Sequence, residues 1–281
     1  MNGSGRATVS QQDKAQRMAR LHAQPGCFVI PNFWDVGSAR LLESLGFEAL
    51  ASSSAGFAFS RGLPDMGVTR EAKLQHLREV CAATSLPVSA DLQNGFGHSP
   101  EEAAETIRLA AQAGVVGGSI EDCRGLVDEE PIYELSQARE RVQAAVEAAR
   151  SLPFPFTLTA RAENHLWGRD DLDDTIRRLV AYEEAGADVL FAPGLKTADQ
   201  IRAVLAAVKK PVNVIMGAPG SPLDLAQLQA MGVRRISVGG SLARTAYAAL
   251  LAAGREMREQ GTFTYARETP PTSWFNDAFG G

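Results

Sequence analysis

The chain has 281 residues, 45% hydrophobic and 22% charged, with a formal net charge of −5. This is the composition of a soluble globular protein with material for one large domain or two small ones. Its Lys and Arg form no stripe for phosphates and no apolar run reaches bilayer length, which excludes nucleic-acid and membrane partners.

The N-terminal M-N-G-S-G-R-A-T-V-S lacks the apolar segment of a signal peptide. Cys27, Cys81 and Cys123 are odd in number and far apart, as expected of free thiols in a reducing cytoplasm. Ser10–Gln24 reads as an amphipathic helix with Ser10 at its N-cap and Asp13 at the capping-box position. A repeating rhythm follows. Cys27–Pro31 is a strand, Val36–Leu45 a helix stopped by Gly46, and Glu48–Ser52 a second strand. A small-residue loop spans Ser53–Met66 before the helix Thr69–Thr84 and strand three, Pro87–Asp91. The helix Pro100–Ala113 leads to strand four, Val115–Glu121, then an acidic loop and the helix Leu135–Arg150. Phe156–Arg161 is strand five with helix Asp170–Ala185, and Asp188–Phe191 strand six with helix Thr197–Val208. Pro211–Met216 and Leu223–Met231 form the seventh pair, Arg235–Gly239 and Ser241–Glu259 the eighth. The tail Gly261–Gly281 is aromatic, with no clear period.

Eight strand–helix pairs in this length predict a (β/α)₈ TIM barrel, with an extra N-terminal helix and a C-terminal helical tail. A doubly wound open sheet is the alternative, but no G-x-G-x-x-G opens the first unit. No composition shift splits the chain, so a single domain over residues 1–281 is expected, with the barrel at about 25–255.

Active sites of such barrels lie where strands end. That rule selects Asn32 and Asp35, Ser52–Ser54, Asp91 and Gln93, Glu121 and Asp122, Arg161 and Glu163, Gly217, and Gly239-Gly240-Ser241. Asp91 and Glu121 end neighbouring strands, about 4.8 Å apart, and suit one hydrated Mg²⁺ with open positions for substrate oxygens. Alternation with Gly117 and Ser119 turns Glu121 inward, leaving Asp122 to a surface or salt-bridge role. In F-T-L-T-A-R the same alternation aligns Thr157, Thr159 and Arg161, and a rim arginine there is placed to hold a carboxylate or an enolate oxygen. Arg161 has a plainer reading too, as a structural partner of Glu163 or Asp188. His98 and His165 lie in rim loops, for proton transfer or merely in solvent. Gly239–Ser241 reads either as a phosphate cradle or as a tight helix entry. Cys123 reads as a buried structural thiol or, from its rim position, a reactive one.

The ordered set Pro31…Trp34-Asp35…Ser38-Ala39-Arg40, the S-S-S-A-G-F-A-F-S-R-G-L-P-D loop, D-L-Q-N-G-F-G, I-E-D and T-A-R resembles the isocitrate lyase/phosphoenolpyruvate mutase superfamily, from about Pro25 to Arg255. The resemblance implies a Mg²⁺-dependent barrel, Mn²⁺ being an alternative, that works on a small 2-oxo or 2-hydroxy acid beside a metal-stabilised enolate. It implies Asp91 as the metal anchor, Glu121 as a second acid around the metal, and Ser53, Ser54 and Ala55 as the loop holding the substrate carboxylate. Arg161 and the mobile-loop acid Asp65 complete the implied catalytic set. It further implies a homo-oligomer, dimer or tetramer, in which a C-terminal helix swaps between subunits. Two departures stand out. Gln93 occupies the place of a second acid, reducing it to a neutral outer-shell oxygen for the metal. The loop after strand four lacks both the lyase branch's cysteine motif and the mutase branch's Lys and Asn. Carbon–carbon cleavage of a 2-methylisocitrate-like or oxaloacetate-like acid fits this pattern best. The alternatives are P–C bond chemistry, as in phosphonopyruvate hydrolase or phosphoenolpyruvate mutase, and a catalytically weak binder of 2-oxo acids.

Overall fold

Alternation along short strands decides the architecture, sending apolar side chains outward to helices and polar ones inward. The computed structural model describes residues 9–125, 130–218 and 223–280. The readings made on residues 1–8, on part of the acidic loop (126–129) and on residue 281 lie outside them. The strands are β1 (Phe28–Ile30), β2 (Asn32–Phe33), β3 (Leu50–Ser52), β4 (Val88–Asp91), β5 (Gly117–Glu121), β6 (Thr157–Arg161), β7 (Val189–Phe191), β8 (Val212–Ile215) and β9 (Arg235–Ser237). All pair in parallel, in the order β1-β9-β8-β7-β6-β5-β4-β3-β2, a nearly closed TIM barrel as expected.

The first predicted strand is the seam. It breaks at Pro31, which has no N–H to donate, so Phe28–Ile30 pairs with β9 while Asn32–Phe33 pairs with β3. Asn32 is therefore a strand residue and not a loop ligand. Its Oδ1 accepts from the backbone N–H of Val238 and Gly239, both at 2.8 Å, and its Nδ2 donates to the Ser52 carbonyl at 2.9 Å. That side chain ties the closing strands together.

The helices are α1 (Gln11–Ala23), α2 (Val36–Ser44), α3 (Ser54–Ser60), α4 (Arg70–Ala83), α5 (Pro100–Gln112), α6 (Leu135–Arg150), α7 (Leu172–Glu184), α8 (Ala198–Ala207), α9 (Leu225–Met231), α10 (Ser241–Arg255) and α11 (Thr272–Gly280). Helix α3 corrects the expected loop at Ser53–Met66. The Ser53 hydroxyl accepts from the Gly56 N–H at 3.0 Å, an N-cap, and Phe57 and Ala58 bury behind it. Asp35, a rim candidate, is likewise a cap: its Oδ1 accepts from the Ser38 N–H at 2.7 Å.

The main core lies between sheet and helices, including Leu50, Val88, Ala90, Ile120, Leu158, Leu190, Val212 and Ile236. Helix α1 closes the N-terminal ends of the strands, packing Ala15 and Met18 on Ile30, Ala49 and Val116. Inside the barrel the residues are polar instead, among them Ser52, Ser89, Ser119, Thr159, Asn213, Arg235 and Ser237, all buried. Most TIM barrels fill that space with branched apolar side chains.

Glu121 and Asp122 divide as parity demands. Asp122 faces outward but is buried: its Oδ2 accepts from the Tyr182 hydroxyl at 2.6 Å and from Arg178 Nη1 at 3.0 Å. Its Oδ1 accepts from the Glu163 N–H at 2.8 Å, fixing the end of β6. Tyr182→Phe removes one hydrogen bond to a buried carboxylate and is expected to cost about 2 kcal/mol. Urea unfolding should show this as a lowered midpoint with an unchanged slope.

Candidate active site

Three strands deliver the site's charges. Arg161, at the end of β6, places Nη1 3.1 Å from Glu121 Oε2 and 3.3 Å from Asp91 Oδ1. Its Nη2 and Nε reach Glu163 Oε1 at 2.7 and 2.9 Å. Of its two plainer structural partners, Glu163 is the real one, since Asp188 pairs with Arg150. Asp91 also accepts from the N–H groups of Ser54 and Gln93, at 3.3 and 3.2 Å.

A cavity of about 240 Å³ opens above this group, lined by Ser54, Asp65, Met66, Glu121, Cys123, Arg161, Glu163, Leu166 and Trp167. The structure thus brings Asp65, Ser54, Glu121 and Arg161 to one space, with Asp91 at its base through Arg161. Gln93 faces an outer cleft beside Pro64–Glu71 instead. It holds a left-handed backbone, φ 52°, and its Nε2 is buried with no partner. The Ser53 Oγ accepts from the Gly56 N–H in capping α3, which leaves its O–H free to donate, and its backbone N–H is used on the Phe33 carbonyl at 3.1 Å. The Ser53 hydroxyl, Ser54 and Ala55 are thus the open part of this loop.

The electrostatics are lopsided. Burial pushes the Glu121 carboxyl well above its ordinary range; Arg161 opposes this, while Glu163, Asp91 and Asp65 add to it. Burial also raises Asp65, with Asp91 adding to the shift. At Asp91 burial is outweighed by Arg161, Lys73 and the two backbone N–H groups, so that carboxyl is held below the usual range. Four acids therefore face one guanidinium, one of them firmly ionised and the others resisting ionisation. Among the described residues no three His, Cys, Asp or Glu side chains form a ready metal cage. Mg²⁺ asks for less, one or two carboxylates with water and substrate oxygens, and the surplus of acid fits such an ion.

Glu163 gives a pH test. Burial lifts it to about 6, against about 4.3 for an unfolded glutamate. Its protonated form contributes stability that is complete below the unfolded value and lost as pH rises through 6. Asp65, Glu121 and Asp122 shift in the same direction, while Asp91 opposes only at lower pH. His22 and His76, which burial pulls down to about 3, act in the opposite sense over the same range, so the test is a relative one: between pH 7 and pH 5 the melting temperature of metal-free Glu163→Gln should fall against that of wild type.

Sequence profiles match this arrangement. The profile described as phosphoenolpyruvate phosphomutase covers residues 18–258. The chain belongs to this family. The isocitrate lyase/phosphoenolpyruvate mutase superfamily is thereby shown. The chain is 31% identical over 199 residues to 2-methylisocitrate lyase of Bacillus subtilis, a match spanning 69% of this chain and 64% of that enzyme. It is 30% identical to oxaloacetate decarboxylase of Paraburkholderia xenovorans, over 83% of this chain and 79% of the relative. A Burkholderia cenocepacia J2315 crystal structure, assigned only provisionally as a lyase or mutase, is 57% identical with a TM-score of 0.94, covering 96% of this chain and 97% of that one.

In this phosphoenolpyruvate phosphomutase family member, the buried cations escaped the sequence reading, and two of them, Lys73 and Arg235, lie close to the strand ends of the site. Lys73 on α4 is 1% exposed, and its Nζ donates to Ser52 Oγ at 2.9 Å. The same oxygen accepts from the Asp91 N–H at 2.9 Å, so Lys73 supports Asp91 from behind. Its burial pulls the ammonium down to about 8, against the pull of Asp91 and Asp65. The signal was a lysine on the stripe Lys73, His76, Leu77, Val80, all buried. The second is Arg235 within the barrel.

Other candidates resolve differently. His165 is buried, not a solvated loop residue: its Nδ1 lies 3.2 Å from Asp170 Oδ1. His98 is exposed and pairs with the Tyr133 hydroxyl at 2.7 Å. Burial and Glu121 push the Cys123 thiol up to about 12, which removes the reactive reading. At Gly239–Ser241 the Gly239 N–H donates to Asn32 at 2.8 Å and the Ser241 N–H to the Val238 carbonyl at 3.1 Å, a tight helix entry.

Proposed function

We propose that this chain is a divalent-metal-dependent carbon–carbon lyase acting on a small 2-oxo or 2-hydroxy acid. The observation that carries it is Arg161 held among Asp91, Glu121 and Glu163 at the wall of a cavity of about 240 Å³. The names of the curated relatives, 2-methylisocitrate lyase and oxaloacetate decarboxylase, support the same class.

Asp91 and Glu121 would hold the cation, Mg²⁺ or Mn²⁺, with Gln93 outside them, and its chemistry there is Lewis-acid stabilisation of an enolate. Arg161 turns its fork from the acids to the substrate's oxygens, binding them in a bidentate manner. The Ser54 hydroxyl and the first turn of α3 orient the substrate carboxylate. Leu166 and Trp167 keep bulk water from the reacting carbon. When the C–C bond breaks, its electron pair remains on the carbon of the enolate. The other fragment leaves as carbon dioxide from an oxo acid or, from a hydroxy acid, as an oxo compound whose hydroxyl proton passes to the Glu163 carboxylate. The Asp65 carboxyl, whose raised pKa favours a bound proton, delivers that proton to the carbon as general acid.

The family profile keeps a P–C reading in view. Incubation with Mg²⁺ and a panel of 2-oxo and 2-hydroxy acids, alongside phosphonopyruvate followed by phosphorus NMR, separates the two. Release of pyruvate or another oxo acid from the carbon substrates supports the lyase. Turnover of phosphonopyruvate alone contradicts it, and binding without turnover leaves a catalytically weak 2-oxo acid binder. No helix among the described residues is long and apolar enough to cross a membrane. Leu250, Leu251, Phe263 and Trp274 are exposed together with most of α10, and we read this as the face of a homo-oligomer.

A further inference from the structure

Below the catalytic cavity, the barrel interior holds a charge without a counter-ion. Arg235 enters from β9, is 5% exposed, and has no acid within ion-pair reach among the described residues. Its protein partners are all neutral. Nε donates to Asn213 Oδ1 at 2.8 Å, Nη2 to Thr159 Oγ1 at 3.0 Å, and Nη1 lies 3.4 Å from His22 Nε2. His22 is itself uncharged at neutral pH, since burial and Arg235 pull it down to about 3. The other charge acting on Arg235 is a second cation, Arg161. Three of its five N–H groups are thus used, and two remain.

The guanidinium borders a polar space. A cavity of about 80 Å³ runs from Arg235 up to Asp91 and Arg161, walled by Ser89, Ser119, Ser237 and Asn213. The Ser89 and Ser119 hydroxyls have no hydrogen-bond partner among the described residues, and both lie on adjacent strands facing inward. The Ser237 Oγ accepts from Asn213 Nδ2 at 2.9 Å, which frees its own O–H to donate. Gly117 keeps the space open: a Cβ there would sit 3.5 Å from Ser89 Oγ and 2.9 Å from the Thr157 carbonyl. Donors converge at the lower end, and the one acid, Asp91, is at the upper end beside Arg161.

An unpaired guanidinium in such a place is costly, and neutral dipoles and water offset that cost only in part. We propose that the barrel interior binds one small monovalent anion, of halide or formate size, against Arg235, Ser89 and Ser119. Size follows from the cavity, which has room for two or three waters at about 30 Å³ each. Single charge follows from Arg235 alone being unmatched, because Arg161 already faces Asp91, Glu121 and Glu163. The site is independent of the lyase reading, since it needs neither the metal nor turnover.

Crystals of the full chain soaked in sodium bromide test it by anomalous diffraction. One bromide in contact with the Arg235 guanidinium and the two serines is expected; a cavity holding only water, in crystals whose surface sites carry bromide, overturns the proposal. In solution, bromide and formate should each raise the melting temperature by a few degrees above sulfate at equal ionic strength. Arg235→Gln should abolish that rise. Should it fail to fold, Ser119→Val fills the cavity without touching a charge and should abolish it as well. An undiminished rise in the variant that folds means the effect lies elsewhere and contradicts the site. A larger rise with formate than with bromide marks a carboxylate as the preferred occupant; equal rises mean that a halide from solvent suffices.

Discussion

Asp91→Asn is expected to abolish cation-dependent binding of oxalate and to lower kcat/KM on the true substrate by about 10³-fold or more. The substitution keeps the side chain's shape; its amide has a single oxygen, which can keep the contact with the Gln93 N–H at 3.2 Å and gives up the longer one with the Ser54 N–H at 3.3 Å. What it removes is the one carboxyl here that its surroundings keep firmly ionised. Glu121 is no substitute, because burial and three neighbouring acids favour its protonated form until a cation arrives. Calorimetry with oxalate, a planar dianion shaped like an enolpyruvate, reads this directly. Wild type should bind oxalate only with Mg²⁺ or Mn²⁺, and Asp91→Asn should show no heat under either condition. Retention of full cation-dependent binding would place the metal elsewhere.

Arg161→Lys carries the second large effect, a loss of about 10²–10³-fold in kcat. Lysine keeps the charge but not the planar fork that reaches Asp91, Glu121 and Glu163 at once. The retained charge spares the buried acids, so the melting temperature should fall far less than in Arg161→Met. Breaking such a pair outright costs about 3–5 kcal/mol. A kcat loss in Arg161→Lys with the Mg²⁺ affinity nearly intact separates a substrate-binding role from a metal-holding one. An enzyme as fast as wild type would leave Arg161 as no more than a structural counter-ion.

The chain rhythm was legible because strand ends in a barrel are few and parity assigns each residue a side. Asp91, Glu121 and Arg161 fall on inward positions of β4, β5 and β6, and the structure brings them within ion-pair distance. Asp122 is outward, as the same parity requires. What escaped was set by tertiary context. Nothing in T-R-E-A-K-L-Q-H says that Lys73 crosses to Ser52, except that a cation sits on a buried stripe. Arg235 opens β9 and was counted as a strand residue, yet inward parity makes it a barrel-interior charge. Serine and alanine runs such as Ser53–Ser60 look like loop until the Ser53 cap starts α3. Pro31 was placed at the end of a strand, and only barrel closure shows that the strand continues beyond it. Gln93 reads from the sequence as a neutral outer-shell oxygen, and the structure adds that its Nε2 is buried without a partner.

The central claim is that Asp91 and Glu121 hold a divalent cation against a chelating substrate, with Arg161 on the substrate's oxygens. Diffraction from crystals soaked with Mn²⁺ and oxalate tests this most directly through the manganese anomalous signal. The predicted result is one manganese peak against Asp91 and Glu121, with oxalate between it and an Arg161 that has left at least one of its acids. Oxalate bound without manganese, or manganese bound away from both acids, would contradict it.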